Sequence, residues 1–247
     1  MKHGSFKAIC LFFWIFVVVF SAYGNQNQGP RRMESVVLER FMGDSEFVWE
    51  TQANRFVHQA GDVIFPRLAY VDAWPIGAFG QNRDGSQILR SLGIHARFDR
   101  RGHNWIDLFP TDPANPGVPV EIPIPGRAQT FDMWVWGGNY HLLLDMYVRD
   151  HNGMVHNMRL GSLNFPGWRN LHVNVPAAIP QTRRTLPLTA SLTFVKFRIW
   201  TLPSERVNDL FIYMSQFKVL TDVSEVYFDG FELADPQMVQ DIWADVN

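Results

Sequence analysis

Cysteine is nearly missing from this 247-residue chain: the single Cys10 sits inside an apolar run near the N-terminus. That excludes a disulfide framework and any cysteine-ligated metal, both of which need several thiols. A domain of about 220 residues buries enough core to fold without such staples. Lysine is scarce as well. Beyond residue 24 only Lys196 and Lys218 remain, beside 18 arginines, and these 20 basic residues face 24 acidic ones, a net charge of −4. No basic surface marks a nucleic-acid partner. The nucleophile elbow, the His-Glu-x-x-His helix and the glycine-rich phosphate loop are missing too, so no catalytic residue, metal ligand or cofactor site is assigned. Asp150, Asn152 and Asp229 are oxygen donors near strand ends, without the spacing of a calcium loop.

What is present at the N-terminus is an export signal. Lys2, His3 and Lys7 precede an uncharged apolar run over residues 8–20, and Ala22-Tyr23-Gly24 places small residues before Asn25. This layout predicts a cleaved signal over residues 1–24. The run is shorter than the roughly 20 residues that cross a bilayer, so no membrane attachment is expected after cleavage. Residues 25–234 then form one domain, and residues 235–247 a C-terminal amphipathic helix. Arginine and tryptophan in place of lysine is the composition of protein–protein contact cores. Genomic base composition shifts Arg against Lys in the same direction, so the bias supports assembly without establishing it.

Most of the chain alternates with a period of two, the mark of half-buried strands. Leu142, Leu144, Met146 and Val148 share one face, against Asp145, Tyr147 and Arg149 on the other. Leu171, Val173 and Val175 alternate with Asn170, His172 and Asn174, and Val195, Phe197 and Ile199 with Lys196, Arg198 and Trp200. Asp150-His151-Asn152-Gly153 predicts a hairpin turn, and Asp99-Arg100-Arg101-Gly102 a second one between residues 93–98 and 104–108. Gly137-Gly138-Asn139 ends another strand, and the proline-rich stretch 112–126 reads as an extended connection. Short strands with such turns predict an all-β, antiparallel jelly-roll sandwich.

Helix is expected in two places. Residues 86–92 allow one or two turns, capped by Ser86 and stopped by Gly93. At the C-terminus Asp235 is the expected N-cap and Pro236 the first helical residue, with Met238, Val239, Ile242, Trp243 and Val246 on one side. The first partner expected for that stripe is the domain's own sandwich, and another subunit the second. Trp134 and Trp136 lie two apart on one strand face, opposite Phe131, Met133 and Val135. If the odd face is core, both indoles point outward, as do Tyr147 and Trp200 on their strands.

Several stretches taken together resemble the FlaA family, the outer-layer or sheath proteins of spirochaete periplasmic flagella. They are LGIHARFDRRGHNWIDL (92–108), IPIPGR (122–127), YVRD (147–150), LGSLNF (160–165), GWRNL (167–171), LTFVKFRIW (192–200) and FKVLTD (217–222), preceded by VLERF (37–41) and VW (48–49). The resemblance implies a non-catalytic coat subunit on a jelly roll similar to carbohydrate-binding modules, located in the periplasm on the flagellar filament. Its implied partners are flagellin core proteins and other sheath proteins, with effects on filament shape, stiffness and motility. Where relatives tend to carry an acidic residue in strand 211–217 this chain has Ser215, which weakens the support for an inherited cation site. On this expectation Trp134, Trp136, Tyr147, Arg149, Trp200 and Trp243 are the contact residues. A periplasmic glycan-binding module, with Trp134 and Trp136 as a stacking platform, is the alternative, and an exoenzyme on the same scaffold a third reading.

Overall fold

A computed structural model describes residues 32–224, apart from 55, 57–58, 61–62, 82–84, 86–87, 99–102, 182, 186–187 and 206–208, together with residues 236–244. The export segment 1–24, the turn 99–102 and the cap Asp235 lie outside the described residues. The chain opens with β1 (Met33–Glu39), β2 (Val48–Ala53), β3 (Gln59–Ala60), β4 (Val63–Ile64), β5 (Arg67–Val71), α1 (Ile76–Phe79), β6 (Ser91–Ala96) and β7 (Trp105–Asp112). Next come β8 (Asn115–Pro119), β9 (Ile122–Pro123), β10 (Arg127–Gly138), β11 (Leu142–Arg149), β12 (Val155–Ser162) and β13 (Pro166–Asn174). It closes with β14 (Arg183–Thr185), β15 (Leu188–Ala190), β16 (Thr193–Thr201), β17 (Leu210–Asp222) and α2 (Pro236–Trp243).

Two antiparallel sheets carry the core. Sheet A runs β13-β10-β17-β6-β5, with β1 on the far half of β17; sheet B runs β12-β11-β16-β7-β2, with β8 against β7 and β9 against β16. From β6 onward the chain crosses repeatedly between them, with β11 and β12 a hairpin within sheet B, so that β6-β17-β10-β13 faces β7-β16-β11-β12. This is the strand order of a jelly roll. The inward side chains alternate along β10 and β11: Phe131, Met133 and Val135 on the first, and Leu142, Leu144, Met146 and Val148 on the second, are all fully buried. Between the sheets Phe217 meets Phe194 and Phe197 at ring separations of 5.0 Å each, and Trp49 stacks near Phe197 at 6.3 Å.

One buried carboxylate fastens the entry to this core. Glu39 is 4% exposed; it accepts hydrogen bonds from the Phe41 backbone N–H at 2.6 Å and the Trp49 indole N–H at 3.0 Å. Phe41 itself sits at φ 60°, a left-handed conformation that is costly outside glycine and is held here by its buried ring and by Glu39.

The hairpin at 150–153 forms as the sequence dictates. Asp150 Oδ1 accepts from the N–H groups of Asn152 (2.8 Å) and Met154 (3.0 Å), and Gly153 takes φ 87°. His156 binds the other oxygen at 2.8 Å. The His156 hydrogen bond, with the two backbone donors, holds the Asp150 carboxyl below its ordinary value against the opposing effect of burial. A lowered carboxyl pKa stabilises the fold above the unfolded value, near 3.9, and that contribution vanishes as pH falls through the lower folded value. Melting temperature measured from pH 7 to pH 2 should therefore lose part of its acid slope in Asp150→Asn; an unchanged slope would show the carboxylate to be unlinked to folding.

Four expectations are corrected. Residues 93–98 and 104–108 do not form a hairpin, because β6 belongs to sheet A and β7 to sheet B. Residues 88–92 are not helical: Ile88–Arg90 carry no regular structure, and Ser91 and Leu92 open β6, where Leu92 and Ile94 are core residues. In β16 the apolar set is Phe194, Phe197 and Ile199, because the register slips between Tyr147 and Val148; Val195 stays only half-buried. The bulge puts one extra residue into the strand and resets its alternation. The C-terminal helix does form, yet none of its residues is buried, so its stripe is not packed into the domain's own core as first expected. The stretch 112–126 is extended as expected and also pairs, through β8 and β9, with sheet B.

Candidate binding faces

The residues expected to make contacts do not form one site. Tyr147, Arg149 and Trp200 lie on the outer face of sheet B, Trp134 and Trp136 on the outer face of sheet A, and Trp243 on α2. The two sheet faces point away from each other, on opposite sides of the sandwich.

On sheet B, cross-strand register writes a charged row. Arg159 on β12 lies opposite Asp145 on β11, which faces Arg198 on β16, which faces Asp107 on β7. An adjacent row pairs Tyr147 with Lys196, and another sets Leu143, Trp200 and Trp105 side by side. Asp107 accepts Arg198 Nε at 2.5 Å and Nη2 at 2.7 Å, and Lys196 Nζ at 2.7 Å. Asp145 accepts Arg159 Nε at 2.9 Å, Asn157 at 3.0 Å and the Trp200 indole N–H at 3.0 Å. Both carboxylates are covered by these neighbours, at 4% and 1% side-chain exposure. Their acceptor capacity is largely used inside the face.

The Arg198 guanidinium is the centre of this arrangement. It lies 4.6 Å from the Trp105 ring, 5.0 Å from Trp200 and 5.5 Å from Tyr147, while the Lys196 ammonium sits 5.3 Å from Tyr147. The bidentate bond to Asp107 raises the Arg198 pKa above its already high value, despite the opposing effect of burial. A cation braced by ring faces and a planar carboxylate is fixed before any partner arrives. Arg149 closes one end, bound to Glu121 at 2.8 Å and to the Gly153 carbonyl at 2.9 Å.

Sheet A presents a different outer surface. Trp168, Trp136, Tyr213, Gly93 and Ala69 lie in one cross-strand row. Trp136 meets Tyr213 edge-on at 5.4 Å. At Gly93 a side chain would come within 3.1 Å of the Tyr213 ring, so the missing side chain keeps a cleft of about 210 Å³ open beside Ala69, His95, Phe211 and Tyr213. His95 stacks on Phe211 at 4.2 Å and binds Asp209, which also accepts Arg97 at 2.8 Å. The Arg97 and His95 bonds hold the Asp209 carboxyl below its ordinary value. Trp134 is less free: the α1 backbone at Gly77 comes so close that a methyl group there would touch the indole at 2.8 Å. Ser215 lies opposite Trp134 and is fully buried, its Oγ without a hydrogen-bond partner.

Trp105, Asp107, Arg159 and Trp168 were not singled out from the sequence, although their alternation was available. In 104–108 Trp105 and Asp107 alternate with Ile106 and Leu108, the same pattern that sends Arg198 and Trp200 outward.

The strand order defines a jelly-roll sandwich with aromatic side chains on both outer sheet faces. The family model for flagellar filament outer layer protein FlaA matches residues 78–230, and the chain belongs to that family. A flagellar filament outer layer-like protein of Brachyspira hyodysenteriae is 28% identical over 132 residues, 53% of this chain and 57% of that protein. The matched region thus spans little more than half of that curated relative's length. Among solved structures, the chain is similar to a family 61 carbohydrate-binding module in complex with β-1,4-galactotriose (TM-score 0.40, 11% identity, 74% of this chain and 94% of that one). It is also similar to the family 11 carbohydrate-binding module of a Clostridium thermocellum cellulosomal cellulase (TM-score 0.41, 8% identity, 76% and 95%).

Proposed function

We propose that this chain is an exported sheath subunit that coats the flagellin core of a spirochaete periplasmic flagellum and influences filament shape, stiffness and motility. Membership of the outer layer family supports the location. The observation that carries the contact role is the outer face of sheet B, where three rings, three cations and two covered carboxylates form a pre-ordered surface. Rigid Trp, Tyr and Arg groups make strong contacts because little side-chain freedom is lost on binding. Filaments isolated from the source cell should contain the chain in a fixed ratio to flagellin, and deletion of its gene should leave thinner filaments of altered curvature. Absence of the chain from wild-type filaments would overturn the proposal.

The outer face of sheet A supports a second reading, glycan binding. The row Trp168–Trp136–Tyr213 leads into the cleft kept open by Gly93, and half-buried rings beside polar groups suit sugar stacking. Under this reading Trp136→Ala abolishes binding on a glycan array while leaving the melting temperature within a few degrees; no binding by the wild-type chain would reject it.

A further inference from the structure

The cleft beside Gly93 on the outer face of sheet A has an unbalanced lining. Among the described residues that line it there is a guanidinium, and there is no Asp or Glu. Its floor is Gly93 and Ala69, which pair across β6 and β5. Phe211 keeps 37% exposure although its ring stacks on His95, and the Tyr213 ring lies close over Gly93. Arg67 completes the lining from β5, the edge strand, in register with His95.

Arg67 differs from the other cations of the two faces. Arg159, Lys196 and Arg198 are bound to carboxylates of sheet B, while Arg97 and His95 share Asp209. Arg67 is exposed and has no ion pair, hydrogen bond or ring contact with a described residue. The Tyr213 hydroxyl has no hydrogen-bond partner among them either. A guanidinium donates and never accepts, so a ligand that satisfies Arg67 brings acceptor oxygens. A planar carboxylate matches its fork with two parallel bonds. A neutral sugar brings hydroxyls that themselves need acceptors, and the lining has no carboxylate to supply them. At about 210 Å³ the cleft is smaller than those that take drug-sized molecules, which favours one sugar ring over a length of peptide.

We infer that this cleft takes an acidic glycan, with one uronate residue seated over Gly93 and Ala69. The apolar side of its ring lies against Phe211 and Tyr213, and its carboxylate bonds to Arg67. The inference rests on the glycan reading of sheet A and goes beyond it by naming the class of sugar. Because Arg67 stands near solvent, salt screens the contact, and affinity for the acidic sugar falls as ionic strength rises.

Titration calorimetry on the purified chain tests this with oligomers of galacturonate, glucuronate and mannuronate, each compared with its own carboxyl methyl ester. The ester keeps the sugar and removes the charge. At low salt at least one acid form should bind about tenfold more tightly than its ester. Arg67→Gln should abolish that preference and leave the ester's affinity unchanged, with the melting temperature confirming the fold. Tyr213→Phe should weaken acid and ester alike. Equal binding of acid and ester, or an undiminished preference in Arg67→Gln, overturns the inference. So does an acidic peptide that competes as strongly as the uronate oligomers. In the first two cases a site for neutral glycans still stands. If the wild-type chain binds none of the uronates, the inference is also overturned, and the glycan reading falls with it only if a panel of neutral glycans is silent too.

Discussion

Phe217→Ala should cost the domain about 4 kcal/mol, because it empties the place where the two sheets meet. Phe217 comes from sheet A and is fully buried, with Phe194 and Phe197 of sheet B and Phe131 of its own sheet around it at 5.0, 5.0 and 5.9 Å. The neighbours belong to long, paired strands that cannot collapse far into the gap, so the loss includes a cavity cost beyond the transfer of the ring. For a domain of this size the melting temperature should fall by roughly 10 °C, while Phe217→Leu should lose much less. Denaturant unfolding measures both. A change below about 1 kcal/mol for the alanine variant would mean the sheets are not clamped at this point.

The second large effect is expected at Asp107. Replacing it with alanine leaves Arg198 and Lys196, 19% and 26% exposed, without the anion that neutralises them. Removing one partner of a covered ion pair costs several kcal/mol when both charges are deeply buried; partial exposure of the cations brings the expectation here to about 3 kcal/mol. The cost comes from stranded charge rather than from the lost bonds, and this can be separated. In Asp107→Ala combined with Lys196→Met and Arg198→Met, most of the stability should return, since apolar groups of similar shape replace an ion-pair network at little net cost. A triple variant no more stable than the single one would show that packing, not charge, holds this face together.

Strand identity and facing are largely legible in the amino-acid order. The alternation of Leu142 to Arg149 places each side chain correctly, because on a strand buried on one face only the period of two has a single solution. It fails where local geometry departs from that period. The bulge at Val195 resets β16, and a bulge depends on the partner strand, which local sequence does not contain. Residues 88–92 have the composition of a helical turn, yet Leu92 is claimed by a core that long-range pairing creates. For the contact residues, Trp200, Tyr147 and Arg149 could each be recognised as outward-facing. Their company could not. That Asp107 braces Arg198 follows from β7 lying beside β16, a neighbour set 91 positions away in the chain. The same topology separates Trp134 and Trp136 from Tyr147 and Trp200, although β10 and β11 are consecutive: the chain changes sheets at Gly137-Gly138-Asn139, where a side chain on Gly137 would lie 2.7 Å from the Leu163 and Phe165 carbonyl oxygens.

The proposal that the outer face of sheet B holds this subunit in the filament is tested most directly by one measurement. In a strain whose only copy carries Tyr147→Ala and Trp200→Ala, the ratio of this chain to flagellin is determined by mass spectrometry on isolated filaments. The loss of two ring contacts at the centre of the face should lower that ratio at least about tenfold, while the purified variant melts within a few degrees of wild type. Retention of the variant at the wild-type ratio would contradict the account.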